Sequence, residues 1–173
     1  MHEPDVENVY SIIGFTLTCL QSFERSIKFC ATYVLQGEDE LNWERLQKIE
    51  KEEGKKALGH FIAKVRARAA LHQKFEELLT SVLRDRNDFV HNTDRIAGWN
   101  LSTYEGVEVA KGFCLSLLRR THLLQEILSA LCGQWQQQAR IEVSTTPEQD
   151  EYFAQIDSKY GHLVDLYFAR REA

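Results

Sequence analysis

Along residues 6–36, apolar side chains return at three- and four-residue intervals: Val9, Ile12, Ile13, Thr16, Leu20, Phe23, Ile27, Cys30, Ala31 and Val34. That spacing lays one buried stripe along a helix, and Gly37 is the expected stop. Residues 38–56 are dense in charge, with Leu41, Trp43, Leu46 and Ile49 as the only apolar points. They predict a short exposed helix or an ordered connector with a solvated face. Leu58, Phe61, Ile62 and Val65 then mark a second element over residues 58–68, and a third runs over about 71–91.

The next helix opens at Ser102-Thr103-Tyr104-Glu105, where the pattern predicts a capping box between Ser102 and Glu105. Its stripe is long: Ala110, Phe113, Cys114, Leu117, Leu118, Thr121, Leu124, Leu128, Leu131, Cys132 and Trp135. Residues 134–139 are polar apart from Trp135 and fade into a loop at 141–145. A last helix starts at Thr146-Pro147-Glu148-Gln149, with Thr146 as cap and Pro147 in the first turn. Phe153, Ile156, Tyr160, Leu163, Val164 and Tyr167 form its buried side. No segment alternates with a period of two, so no strand is predicted. The expectation is an all-α bundle of about five helices in one domain over residues 1–173, with a core over about 6–138 and a C-terminal helix over about 147–170.

Composition sharpens this picture. Two prolines and nine glycines in 173 residues leave long helices uninterrupted. No apolar run approaches the roughly 20 residues that cross a bilayer, and residues 1–5 lack the pattern of a secretion signal. The four cysteines, Cys19, Cys30, Cys114 and Cys132, form no Cys-x-x-Cys pair, and a reduced cytoplasmic protein is expected. Cys30, Cys114 and Cys132 fall on apolar stripes, where a small buried thiol is ordinary. Trp43, Trp99 and Trp135 fit packing or interface anchors better than base-stacking platforms. His60, His72, His122 and His162 are scattered without ligand spacing, and no glycine-rich phosphate loop is present, so neither metal nor cofactor is expected. The net charge of −5 lacks the basic excess of a general nucleic-acid binder.

One residue breaks its stripe. Phe75, Leu79, Val82, position 86 and Phe89 follow the 4-3-4-3 spacing of a helix seam, widened by Leu83 and Val90, yet position 86 holds arginine. A guanidinium there must be paired, or the seam must open into a polar cleft. Asn87 sits beside Arg86, and His91 lies about 140° around the helix from it. Together they offer a phosphate-binding fork, an amide and a proton carrier active near neutral pH. A single helix does not easily bring the Arg86 and His91 tips together, whereas two copies facing across a two-fold axis do, which leans the reading towards a dimer. On periodicity alone a plainer account stands ahead, with Arg86 paired to Asp85 or Asp88 and His91 as a helix-end dipole partner.

Arg86-Asn87-Asp88-Phe89-Val90-His91 resembles the defining motif of the HEPN superfamily, in which arginine is followed by four to six residues and then histidine, often with a polar residue after the arginine. Leu58-Gly59-His60-Phe61-Ile62, followed about 25 residues later by a leucine-rich helix ending in that motif, resembles many bacterial members. The likeness spans about residues 6–131. It implies a helical domain that dimerises with its motif helices lining a composite cleft. Catalytic members are metal-independent endoribonucleases in toxin–antitoxin and antiviral defence systems; others are non-catalytic binding or assembly domains. One subgroup, paired with a nucleotidyltransferase antitoxin, carries tyrosine two residues after the histidine. Here Asn92 and Thr93 follow His91, so regulation through that tyrosine is not expected.

The resemblance implies Arg86, Asn87 and His91 as catalytic residues and RNA as substrate, with a homodimer and an antitoxin or defence protein as partners. Attack of a ribose 2′-hydroxyl on its phosphate needs a base, an acid and positive charge, and leaves a 2′,3′-cyclic phosphate. Arg84, Lys64, Arg66 and Arg68 are candidate RNA-guiding cations; Arg119 and Arg120 are further ones, each more ordinarily read as solvated surface. The alternative is a non-catalytic module that senses a nucleotide or a partner protein.

Overall fold

The computed structural model describes residues 6–35, 48, 51, 56–139 and 146–170. Gly37, the loop at 141–145 and most of the charged connector lie outside them, Trp43 included. Lys48 and Lys51 have helical backbone and are exposed, as a solvated face requires. The chain is all-α, with five α-helices among the described residues: α1 Val6–Phe29, α2 Leu58–Arg68, α3 Gln73–His91, α4 Tyr104–Ala139 and α5 Pro147–Tyr167. None of them is long and apolar enough to cross a membrane.

Two compact units form, each from two separate stretches. The first takes residues 1–23 and 74–125. In it the α3 seam is buried as its spacing demands, with Phe75, Leu79, Val82 and Phe89 inside. Val90 is a correction, since it is exposed rather than part of the seam. Val9, Val107 and Ala110 make a small core with Ile13, Trp99 and Leu101 against it. The capping expectation at the start of α4 is also corrected. Thr103, not Ser102, is the cap, its Oγ1 accepting from the Gly106 amide at 3.1 Å. The cap falls there because Asn100 folds the approach, its Oδ1 accepting from the Ser102 amide at 2.9 Å. A Cβ on Gly106 would collide with the Asn100 carbonyl, so this turn admits only glycine without rearrangement.

The second unit takes residues 24–73 and 126–173. Here α1 does not run as one regular helix to residue 36. From Cys30 to Val34 it widens into a π-turn, closed by the Leu35 amide donating to the Cys30 carbonyl at 2.9 Å. The widened turn presents the Ala31 carbonyl to Arg68 of α2, whose Nη1 donates to it at 2.6 Å. Strands were not expected, yet Ala69–Leu71 (β1) pairs antiparallel with Phe168–Arg170 (β2), Leu71 opposite Phe168. The pairing takes Leu71 out of α3 and ends α5 at Tyr167 instead of about 170. Three residues are too short to show alternation, and pairing between segments so remote in sequence leaves no local trace. At the start of α5 the expected cap forms in full. Thr146 Oγ1 accepts from the Gln149 amide, and Gln149 Oε1 accepts from the Thr146 amide. Ile156, Tyr160 and Val164 are buried as expected, whereas Phe153 is exposed.

Candidate functional site: the end of helix α3

The last turns of α3 are fixed from two sides. On the buried side Phe89, between Arg86 and His91 in sequence, sits in an aromatic cluster. Its ring centroid is 6.0 Å from Trp99 and 6.3 Å from Phe113, and Trp99 meets Phe113 edge-on at 6.0 Å. Such edge and offset contacts favour one arrangement of the rings over others. Trp99 reaches this cluster because the chain reverses tightly after His91. The Asn92 amide donates to the Asp88 carbonyl, a 3-10 turn follows over Thr93–Arg95, and Gly98 takes a left-handed φ of 79°. Trp99 is thus a packing anchor, as expected.

On the other side stands an ion pair. Arg120 of α4 donates from Nη2 to Asp85 Oδ2 at 2.7 Å and from Nη1 to Ser81 Oγ at 3.2 Å, while the second Asp85 oxygen accepts from Arg84 Nε at 2.9 Å. This clamp grips the residue immediately before Arg86. Arg120 is therefore an ion-pair partner rather than an RNA-guiding cation, and Asp85 pairs with Arg120 and Arg84 rather than with Arg86. Both carboxylate oxygens of Asp85 in fact face Arg84 and Arg120.

Arg86 is half-buried and His91 exposed. Arg86 Nη1 lies 3.1 Å from Asn87 Oδ1 and 3.1 Å from His91 Nε2. The expectation that one helix does not easily join these tips is therefore overturned. Five residues rise roughly 7.5 Å along a helix, but Cα–Cβ bonds tilt towards the N-terminus, so His91 leans back while the long arginine reaches forward. Since a guanidinium only donates, Nε2 accepts in this contact and its lone pair faces Arg86. The three candidate residues thus form one hydrogen-bonded group within a single chain.

The candidate RNA-guiding cations divide between the two units. Arg84 is exposed beside the motif and paired with Asp85. Lys64, Arg66 and Arg68 belong to the second unit, where Arg68 is committed to the Ala31 carbonyl. Among the described residues no three His, Cys, Asp or Glu side chains gather as a metal-holding group. Two cysteines remote in sequence do meet: Cys30 and Cys132 have their sulfurs 3.3 Å apart. Their separation of 102 positions hides this from any spacing rule. Compared with protein-family models, curated proteins and solved structures, the chain finds no match.

Proposed function

We propose that the chain is a HEPN-type endoribonuclease that cuts RNA without a metal, with Arg86, Asn87 and His91 as its catalytic group. The observation that carries this reading is the pair of 3.1 Å contacts that Arg86 makes to Asn87 and His91 at the solvent-accessible end of α3. An imidazole nitrogen that accepts a hydrogen bond can also take a proton, which is what a general base does. Nε2 swings off Arg86 to take the ribose 2′-hydroxyl proton, the 2′-oxygen attacks the phosphorus, and the 5′-oxygen leaves with a proton. The products are a 2′,3′-cyclic phosphate and a 5′-hydroxyl. Arg86 carries the charge that builds on the phosphoryl oxygens, and Asn87 fixes the angle of the guanidinium.

The in-chain contact removes geometry as an argument for a second copy. Chemistry keeps it: the reaction needs a base and an acid at once, and a facing protomer brings a second His91 for the acid role. The biological setting of this reading is a toxin or antiviral effector held in check by a partner protein. The net charge of −5 favours one other reading, a non-catalytic HEPN-like module that senses a nucleotide or a protein.

The test is cleavage of bulk RNA in EDTA by the wild type, His91→Ala and Arg86→Ala. Wild-type cleavage with cyclic-phosphate ends, falling by about 10²–10⁴-fold in His91→Ala, supports the nuclease. Equal inertness of all three proteins supports the binding module instead.

A further inference from the structure

Within the second unit, the π-turn and α4 bring two thiols together. Cys30 opens the widened turn and is fully buried, its sulfur 3.3 Å from that of Cys132 and 3.9 Å from the Leu128 carbonyl. Cys132 is half-buried and lines a surface groove of about 350 Å³ with Arg25, Ser26, Phe29, Leu128 and Gln136 among its walls. One thiol is therefore reachable by a small solute, and the other is held behind it. The sulfurs need to close by about 1.3 Å to reach bonding distance.

We infer that Cys30 and Cys132 form a peroxide-oxidisable dithiol, with Cys132 as the attacking sulfur and Cys30 as the resolving one. The Cys132 thiolate attacks one oxygen of hydrogen peroxide, the O–O bond breaks, and hydroxide leaves to be protonated as water. Cys132 is then a sulfenic acid. Cys30 sulfur attacks the Cys132 sulfur, hydroxide leaves again, and the Cys30 proton completes the second water. Two thiols and one peroxide thus give one disulfide and two waters. The division of roles follows the surroundings. Cys132 borders the groove and the contact with Cys30 lowers its thiol despite burial, whereas that contact and full burial push Cys30 well up. The remaining cysteines lack such a partner thiol: Cys114 bonds to Thr16, and its burial raises it, as burial raises Cys19.

The test treats the full chain with a modest excess of hydrogen peroxide, then denatures it and counts thiols with a maleimide. The inference expects the count to fall from four to two, with a peptide joining Cys30 to Cys132 and the mass of two hydrogens lost. In Cys30→Ser, Cys132 is expected to stop at the sulfenic acid and to be trapped by dimedone. In Cys132→Ser, Cys30 stays reduced. A disulfide through Cys19 or Cys114, a bond between chains, or four thiols surviving in the wild type overturns it. The wild-type peptide map decides the matter even if a serine variant fails to fold.

Discussion

Arg120 and Asp85 meet at 2.7 Å between helices α4 and α3, with the aspartate side chain 13% exposed and the arginine 26%. Sheltered to that degree, the pair is worth more than an ordinary surface ion pair. Asp85→Ala leaves a half-buried guanidinium without its carboxylate and is expected to cost about 1.5–3 kcal/mol in urea unfolding. Arg120→Met should cost a similar amount, and the double variant clearly less than the sum of the two. Strict additivity of the two losses contradicts a direct pair.

Arg86→Lys tests the geometry of the motif. An ammonium lacks the planar fork and does not hold Asn87 and His91 in the same way. Under the proposed reading, RNA cleavage drops at least about tenfold while stability shifts by less than ~0.5 kcal/mol. Nitrogen NMR of the His91 ring gives a second readout. Nε2 loses its guanidinium partner in the variant and should change its environment; an unchanged ring spectrum refutes the contact.

Thr121 carries a buried hydroxyl with no hydrogen-bond partner among the described residues. Replacement by valine keeps the shape and removes an orphaned polar atom. Thr121→Val is expected to stabilise the protein by about 1 kcal/mol, read as a higher melting temperature. A destabilised variant shows that the hydroxyl is satisfied after all.

Glu148 sits in the first turn of α5, where its own backbone amide and the Thr146 hydroxyl hold its carboxyl below the usual range. A carboxyl lowered on folding stabilises the helix end above its unfolded value and loses that contribution as pH falls through the folded value. Protection of the α5 amides near Glu148, taken relative to intrinsic exchange at each pH, should therefore fall in acid, below the pH at which an ordinary glutamate titrates. Glu148→Gln should show no such step, and an identical acid profile in both proteins contradicts the assignment.

Where side-chain chemistry acts between near neighbours, the sequence is a fair guide. The α3 seam at Phe75, Leu79, Val82 and Phe89 and the Thr146-Gln149 box both depend on residues within a few turns. The misses have two causes. Some depend on partners far along the chain: β1 with β2, Arg120 with Asp85, and Cys30 with Cys132. Others depend on small departures from ideal helix geometry. The π-turn shifts Cys30–Val34 off the α period, and the reach of Arg86 along its helix closes a gap that angular spacing alone leaves open.

Each unit needs two stretches of chain that are made far apart in time. During synthesis the first can close once residue 125 has emerged, whereas the second holds residues 24–73 in waiting until α5 and β2 follow. A ribosome paused between those points would display a finished α3 motif while the second unit is still incomplete. For a protein whose proposed activity endangers its host, that order would place the motif end of α3 ahead of Cys30 finding Cys132.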